Sequence, residues 1–305
     1  MKVRSAIPHT SLLTSYLHLH GIVVLLGFTA ILGALISLSA GPLVWYRMLF
    51  ATLGLGAYLR FHSVSFRVSL SRLTLLLGIG LVVALHWITF FHAIKVSNVS
   101  VTLGVFASTT LFTSLLEPLF QKKRILWLEV LIGLAILLGI YIIFQFEFKY
   151  LEGILYALLS ALLNAVFAVL NRKISHHHPP AVISFWEMLG GFLFMSLFFL
   201  FTGAFAGWPL VPALSDFFWL LVLGILCTSY AFTAIVHIMK RLSAYAVVLA
   251  INLEPVYGII LARLFFPESE SMSAGFYLGT LIIILSVLSY PWLRRRLTGR
   301  GTYED

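Results

Sequence analysis

The sequence predicts an all-α polytopic membrane protein, with ten transmembrane helices arranged as two inverted five-helix repeats. Three observations predict it. Ten continuous apolar runs follow one another through 305 residues, of which 61% are apolar and only 10% charged. The last five runs echo the first five: Trp45-Tyr46-Arg47-Met48 against Phe185-Trp186-Glu187-Met188, Phe90 to Ser97 against Val236 to Ser243, and Gly133 against Gly279. Lys and Arg concentrate in alternate connections between the runs. A unit of five spans ends on the opposite side of a membrane from where it starts, so its second copy must lie upside down.

A spanning helix needs about 20 apolar residues. The runs cover 17–38, 42–60, 73–95, 98–120, 125–145, 152–171, 181–202, 217–239, 243–265 and 274–293. They are continuous rather than alternating, which predicts helices and not barrel strands. The first two are joined by a tight turn at Gly41-Pro42, where a proline in the first helical turn gives up no hydrogen bond. Glu117-Pro118 falls at the inner end of the fourth run and reads as a helix stop. The connection Phe146 to Leu151 divides residues 1–145, the first repeat with a short N-terminal segment, from 146–305, the second repeat with a basic tail. His176-His177-His178-Pro179-Pro180 joins the sixth and seventh runs. Gly203, Gly207, Pro209 and Pro212 predict an irregular loop before the eighth. Trp and Tyr near many run ends suit an interfacial aromatic belt.

This composition excludes an ordinary soluble domain, which would expose large apolar patches. The net charge of +9 does not predict nucleic-acid binding, because its distribution follows the membrane. With the N-terminus inside, sixteen of the twenty Lys and Arg residues lie in inner segments; Lys95, Lys149 and Arg263 lie outside, and Arg47 within a span. The bias predicts a bacterial inner-membrane protein with both termini cytoplasmic and attraction to anionic lipid headgroups. The N-terminal run is too long for the core of a cleaved signal. Cys227 is the single cysteine, so no internal disulfide forms and no cysteine metal site is predicted. The histidines at 176–178 lack partners at ligand spacing and read as a solvated loop, so no metal is assigned. No phosphate-binding loop, dinucleotide fingerprint or nucleophile elbow appears, and no cofactor is called for.

Ionisable residues inside a bilayer are costly and mark cavities or partners. Arg47 lies about one turn inside the outer end of the second span; snorkelling to the interface is its alternative. Glu187, its counterpart by repeat, lies about one turn inside the inner end of the seventh. Glu254 sits near the centre of the ninth span and is followed by Pro255, which leaves the Ile251 carbonyl without its donor. Irregular backbone at that depth is tolerated only inside protein or beside water. Burial of a carboxylate favours its protonated form unless a cation is near. His86 and Trp87 lie near mid-depth of the third span, with His92 and Asn98 nearer the outside. Asn164, His237 and Asn252 are further polar candidates, for which tying helices together is the commoner use. The substrate-binding set is therefore Arg47, His86, Trp87, Glu187, Asn252 and Glu254: Arg47 for an anionic group, the aromatic ring for an apolar part, Glu254 for an amine or a proton. Gly190-Gly191 permits close helix contact, within one chain or between two.

Local stretches then carry a resemblance: Trp45-Tyr46-Arg47, Ala93-Ile94-Lys95-Val96-Ser97-Asn98-Val99-Ser100, and Asn252-Leu253-Glu254-Pro255-Val256-Tyr257-Gly258. The whole pattern, from about 17 to 293, resembles the EamA-type ten-span proteins of the drug/metabolite transporter superfamily. The resemblance implies two inverted five-helix repeats, a central cavity and export of small organic metabolites or drugs; the proton that Glu254 would take is the candidate coupling ion. It implies a transporter and not an enzyme. The fourth span departs from the family pattern by lacking a mid-helix proline. Two other functions fit the composition: an integral membrane enzyme acting on lipid through the inner histidines, and a non-transporting scaffold.

Overall fold

A computed structural model of the chain describes residues 12–121, 127–174, 178–208, 211–239 and 250–298. Among them every regular element is helical. In chain order these are α1 (Leu12–Leu35), α2 (Ala40–Phe61), α3 (Leu70–Val96), α4 (Val99–Phe106), α5 (Thr109–Gln121), α6 (Trp127–Phe146), α7 (Leu151–Ile174), α8 (Pro180–Thr202) and α9 (Leu214–Leu221). A π-helical segment, Val222–Tyr230, continues α9 into α10 (Ala231–Met239). After the undescribed residues 240–249 come α11 (Glu254–Phe265) and α12 (Ala274–Thr298). Seven segments of described helix are long and apolar enough to cross a membrane: Leu13–Leu35, Leu70–Val96, Val99–Leu116, Trp127–Phe146, Phe148–Asn171, Pro180–Thr202 and Leu214–Ile235. The beginning of the ninth predicted run, His176, His177 and the side chain of His237 lie outside the described residues.

Two runs expected as continuous helices are broken. The ninth stops at Ile251, turns at Asn252-Leu253 and restarts as α11. Pro255 then stands in the first turn of a new helix, where its missing N–H has no partner to lose. The fourth breaks at Ala107-Ser108 without any proline. There the Ser108 amide bonds to the Val105 carbonyl at 3.0 Å, and the Leu111 amide to the Ser108 carbonyl at 2.9 Å. These tighter bonds replace the regular four-residue ladder. In the eighth run the wider π turn lets hydroxyls reach carbonyls five residues back, Thr228 to Leu223 at 2.8 Å and Ser229 to Gly224 at 3.1 Å.

Lipid removes the hydrophobic drive between helices, so close approach at small residues takes its place. The α3–α8 seam shows this. A Cβ on Gly190 would stand 2.6 Å from the Leu77 Cα, and one on Gly191 would stand 2.7 Å from the Gly80 carbonyl. The Gly190-Gly191 pair therefore serves a contact within the chain. Gly27 of α1 and Gly258 of α11 meet in the same way. Elsewhere α3 packs on α7, and α6 on α12. Large apolar side chains remain exposed on the outer faces, among them Leu134 and Leu138 of α6, Leu197 and Phe201 of α8, and Leu281 and Leu285 of α12. Such surfaces suit lipid and not water.

The two ends of the bundle are tied unequally. At one end buried carboxylates hold backbone amides. Asp216 accepts from the Ser37 amide at 2.9 Å and from its hydroxyl. Glu270 accepts from the Val99 and Ser100 amides, each at 2.9 Å, at the start of α4. Glu147 accepts from the Ser273 amide at 2.9 Å, just before α12. Asn98 caps α4 through the Val101 amide at 2.8 Å, the tying use of a polar side chain. At the other end His18 meets the Tyr230 hydroxyl at 2.7 Å, His20 that of Tyr257 at 2.9 Å, Trp186 Nε1 donates to the Phe66 carbonyl at 2.9 Å, and the Tyr290 hydroxyl donates to the buried carboxylate of Glu129 at 2.7 Å.

Candidate functional site

The site is built around Arg47, on the buried side of α2 and only 4% exposed. Its Cζ lies 3.6 Å from the centroid of the Trp87 ring and 5.6 Å from that of Phe91. A guanidinium over an indole face at that distance is held by the ring quadrupole, most strongly where water is excluded. Nε donates to Thr228 Oγ1 at 3.1 Å. Thr228 in turn donates to Leu223, so the π segment aims the acceptor. Arg47 is thus not a snorkelling residue. Stacking and the Nε bond fix its plane, while its terminal nitrogens make no hydrogen bond among the described residues.

His86 lies one residue before Trp87. Its ring stacks on Phe106 at 5.5 Å and 17°, and its Nδ1 is 3.0 Å from the Ser160 carbonyl. Ser160 Oγ donates to the His86 carbonyl at 3.1 Å. With that hydroxyl proton committed, Nδ1–H is the donor to Ser160. The pair ties α3 to α7 and fixes the tautomer.

Glu254 opens α11 beside the break. It feels the charge of Arg47, yet no ion pair closes between them; among the described residues the ion pair found is His92–Glu152, at 3.4 Å and exposed. The Glu254 carboxylate makes no hydrogen bond among the described residues. Arg47, His86 and Trp87 are buried, whereas Asn252 and Glu254 keep part of their surface accessible. The accessible flank of the cluster is therefore the one formed by the turn before α11. Negative charge at a helix N-terminus also complements the helix dipole.

Four of the six residues singled out in the sequence, Arg47, His86, Trp87 and Glu254, come together here, and Asn252 joins them as the turn residue adjoining Glu254. Glu187 has other surroundings. It is 1% exposed, its carboxyl is hydrogen-bonded by Asn171 of α7, and its Oε1 has no partner among the described residues. Sequence reasoning missed Thr228, Cys227 and Thr29. The Cys227 thiol is fully buried, and it and Arg47 lie within each other's field. No local pattern distinguishes these small residues from the apolar run around them. Of the three consecutive histidines only His178 is described, and its Nε2 meets Arg72 Nη1 at 3.1 Å. No group of three metal-ligating side chains is found among the described residues.

Apolar helices with lipid-facing outer surfaces, broken at depth around a stacked arginine and a glutamate, define an integral membrane protein with a polar centre. Residues 151–290, from the start of α7 through most of α12, match the EamA-like transporter family. Those residues are similar to that family, in line with the likeness read from the sequence. A solved structure titled only "Crystal structure of protein" superposes on 93% of this chain and 99% of its own, with a TM-score of 0.64 at 19% identity. That likeness shows a shared fold. No curated protein matches the chain. The match suggests a membrane transporter of the drug/metabolite type.

Proposed function

We propose that this protein is a secondary transporter that exports small organic solutes from the cytoplasm by alternating access. The observation that carries the reading is the pair Arg47 and Glu254: opposite charges at depth, each within the other's field, each with free hydrogen-bonding atoms, and not joined. Two such groups with nothing between them are costly in a bilayer unless a ligand or water completes them. Arg47 receives an anionic group, the Trp87 ring receives an apolar part, and Glu254 receives an amine or a proton.

The architecture supports the reading. Ser97 to Ser243 and Gly133 to Gly279 share a separation of 146 positions. The same separation carries Ala107, in the break between α4 and α5, onto Leu253, in the break before α11. Paired broken helices at corresponding places are the usual framework of a midplane site between inverted repeats. In this reading residues 1–145 and 146–305 are the two repeats, ten spans cross a bacterial inner membrane with both termini cytoplasmic, and the end bearing Ser37, Glu147, Asp216 and Glu270 faces outward.

Counterflow in proteoliposomes against a panel of amino acids, amines and nucleosides tests it. The reading expects saturable exchange of at least one panel member, lost in Arg47→Ala and in Glu254→Gln. Exchange that both variants support at the parent rate removes this site from the proposal.

A further inference from the structure

The contacts at the Ser37 end single out one device. The turn between α1 and α2, Ile36 to Ser39, is gripped from two sides. Asp216, at the start of α9 and 4% exposed, takes both the amide and the hydroxyl of Ser37. Lys95, at the end of α3, donates to the Ile36 carbonyl and feels the charge of Asp216. The two charged side chains come from opposite halves of the sequence and close on one stretch of backbone. A carboxylate accepting from an amide and a hydroxyl makes two charge-assisted bonds, roughly twice as strong as neutral ones. At the opposite end the buried carboxylate of Glu129 accepts from the Tyr290 hydroxyl at 2.7 Å, which joins two helices, and the other contacts described there are made by ring nitrogens, hydroxyls and carbonyls.

We propose that Asp216, Lys95 and the Ile36-Ser37 turn form a latch that holds this end of the transporter shut, and that releasing the turn is the step that opens the site outward. The proposal rests on the alternating-access reading above for its orientation. Three features agree with it. The latch lies on the side of Arg47 away from the accessible Asn252–Glu254 flank. α2, which the turn leads into, carries Arg47 itself, so freeing the turn frees the helix that bears the guanidinium. The segment that follows Asp216 is the π helix holding Thr228, so both partners of the Arg47–Thr228 bond are anchored through the latch. Asp216 and Lys95 thereby act on Arg47 through backbone and touch no solute themselves; they are positioning residues.

The chain contains its own reporter. Cys227 is its single cysteine, fully buried beside Thr228. A charged, membrane-impermeant methanethiosulfonate reaches it from a given side only when the bundle opens on that side. Right-side-out and inside-out membrane vesicles of the parent, Asp216→Asn and Lys95→Met are treated with this reagent, and the rate of Cys227 modification is measured. Asp216→Asn retains one acceptor oxygen but loses the charge and one of the two bonds. Modification from the outside is expected to rise about tenfold in each variant, the factor by which about 1.4 kcal/mol moves a two-state equilibrium. The rate from the inside is expected to fall or stay level. Outside rates that match the parent in both variants overturn the latch. Rates that rise equally from both sides report a loosened fold and overturn it as well. If the parent thiol is reachable from the inside and only the variants fail to respond, the latch alone is wrong. If Cys227 is unreachable from either side in all three proteins, the alternating-access reading falls with it.

Discussion

Replacing Arg47 with Met separates a functional arginine from a structural one. The stacking on Trp87 contributes about 2 kcal/mol where water is excluded, and the Nε bond to Thr228 about 1.5 kcal/mol. Against these stands the cost of holding a guanidinium in a water-poor interior, which amounts to several kcal/mol for a buried ion. Met fills much of the volume, keeps a favourable contact with the indole and removes the charge. The neutral hydroxyl of Thr228 still donates to Leu223 and is left without a compulsory partner. The two sides nearly cancel, so Arg47→Met is expected to keep the thermal midpoint in detergent within a few degrees of the parent, or to raise it. Counterflow of the panel solute is expected to vanish. Arg47→Lys is the contrasting variant: it keeps the charge, loses the planar stacking and the Nε bond, and is expected to unfold at lower temperature than the Met variant. Intrinsic tryptophan fluorescence on heating gives the midpoints. A Met variant that unfolds at much lower temperature than Lys while still exchanging solute would refute the reasoning, because Arg47 would then be an architectural residue.

Three further outcomes follow from the same geometry. Glu254→Gln is expected to leave the stability within about 1 kcal/mol of the parent, since its carboxylate makes no hydrogen bond among the described residues, and to abolish exchange; a variant that transports normally contradicts the role assigned to the charge. Gly191→Leu drives a side chain into the Gly80 carbonyl and the Met48 thioether and is expected to destabilise by about 3 kcal/mol or to prevent folding, read as loss of a monodisperse peak in size-exclusion chromatography. Glu270→Ala strips two amides at the start of α4 of their acceptor and is expected to cost about 3 kcal/mol, whereas Glu270→Gln is expected to recover part of it; midpoints of both variants equal to the parent's would show that the cap contributes nothing.

The helical fold class was legible because lipid imposes long apolar runs that no soluble architecture requires, and the glutamate followed by proline at 254–255 was legible because both residues are costly in a bilayer. Proline announced the ninth-run break, although its consequence differs from expectation: Pro255 begins a new helix and does not kink an existing one. Nothing announced the break at Ala107-Ser108, since neither residue is a strong breaker. The π segment was hidden for the same reason. Val222 to Tyr230 has ordinary helix-compatible residues, and its wide turn is stabilised by Thr228 and Ser229 bonding five residues back. Glu187 illustrates the limit of repeat logic. Its alignment with Arg47 placed it correctly within a helix, but partner choice depends on neighbours, and α7 offers it Asn171.

The two breaks differ in a way that bears on how the halves work. Ser108 stands where the common separation places Glu254, so a buried hydroxyl in one half corresponds to a carboxylate in the other. Ser108 is fully buried and its Oγ has no partner among the described residues; Glu254 is half-buried beside a cation. A neutral hydroxyl exerts little pull on a charged solute, whereas a carboxylate does. Charge recognition is therefore concentrated on the α11 side, opposite the arginine supplied by α2. In the alternating-access reading proposed above, the half bearing Glu254 then grips the solute and the other lends it shape. Exchanging the two residues, Ser108→Glu with Glu254→Ser, should consequently not restore exchange, because the transplanted carboxylate would lie where nothing accessible meets it.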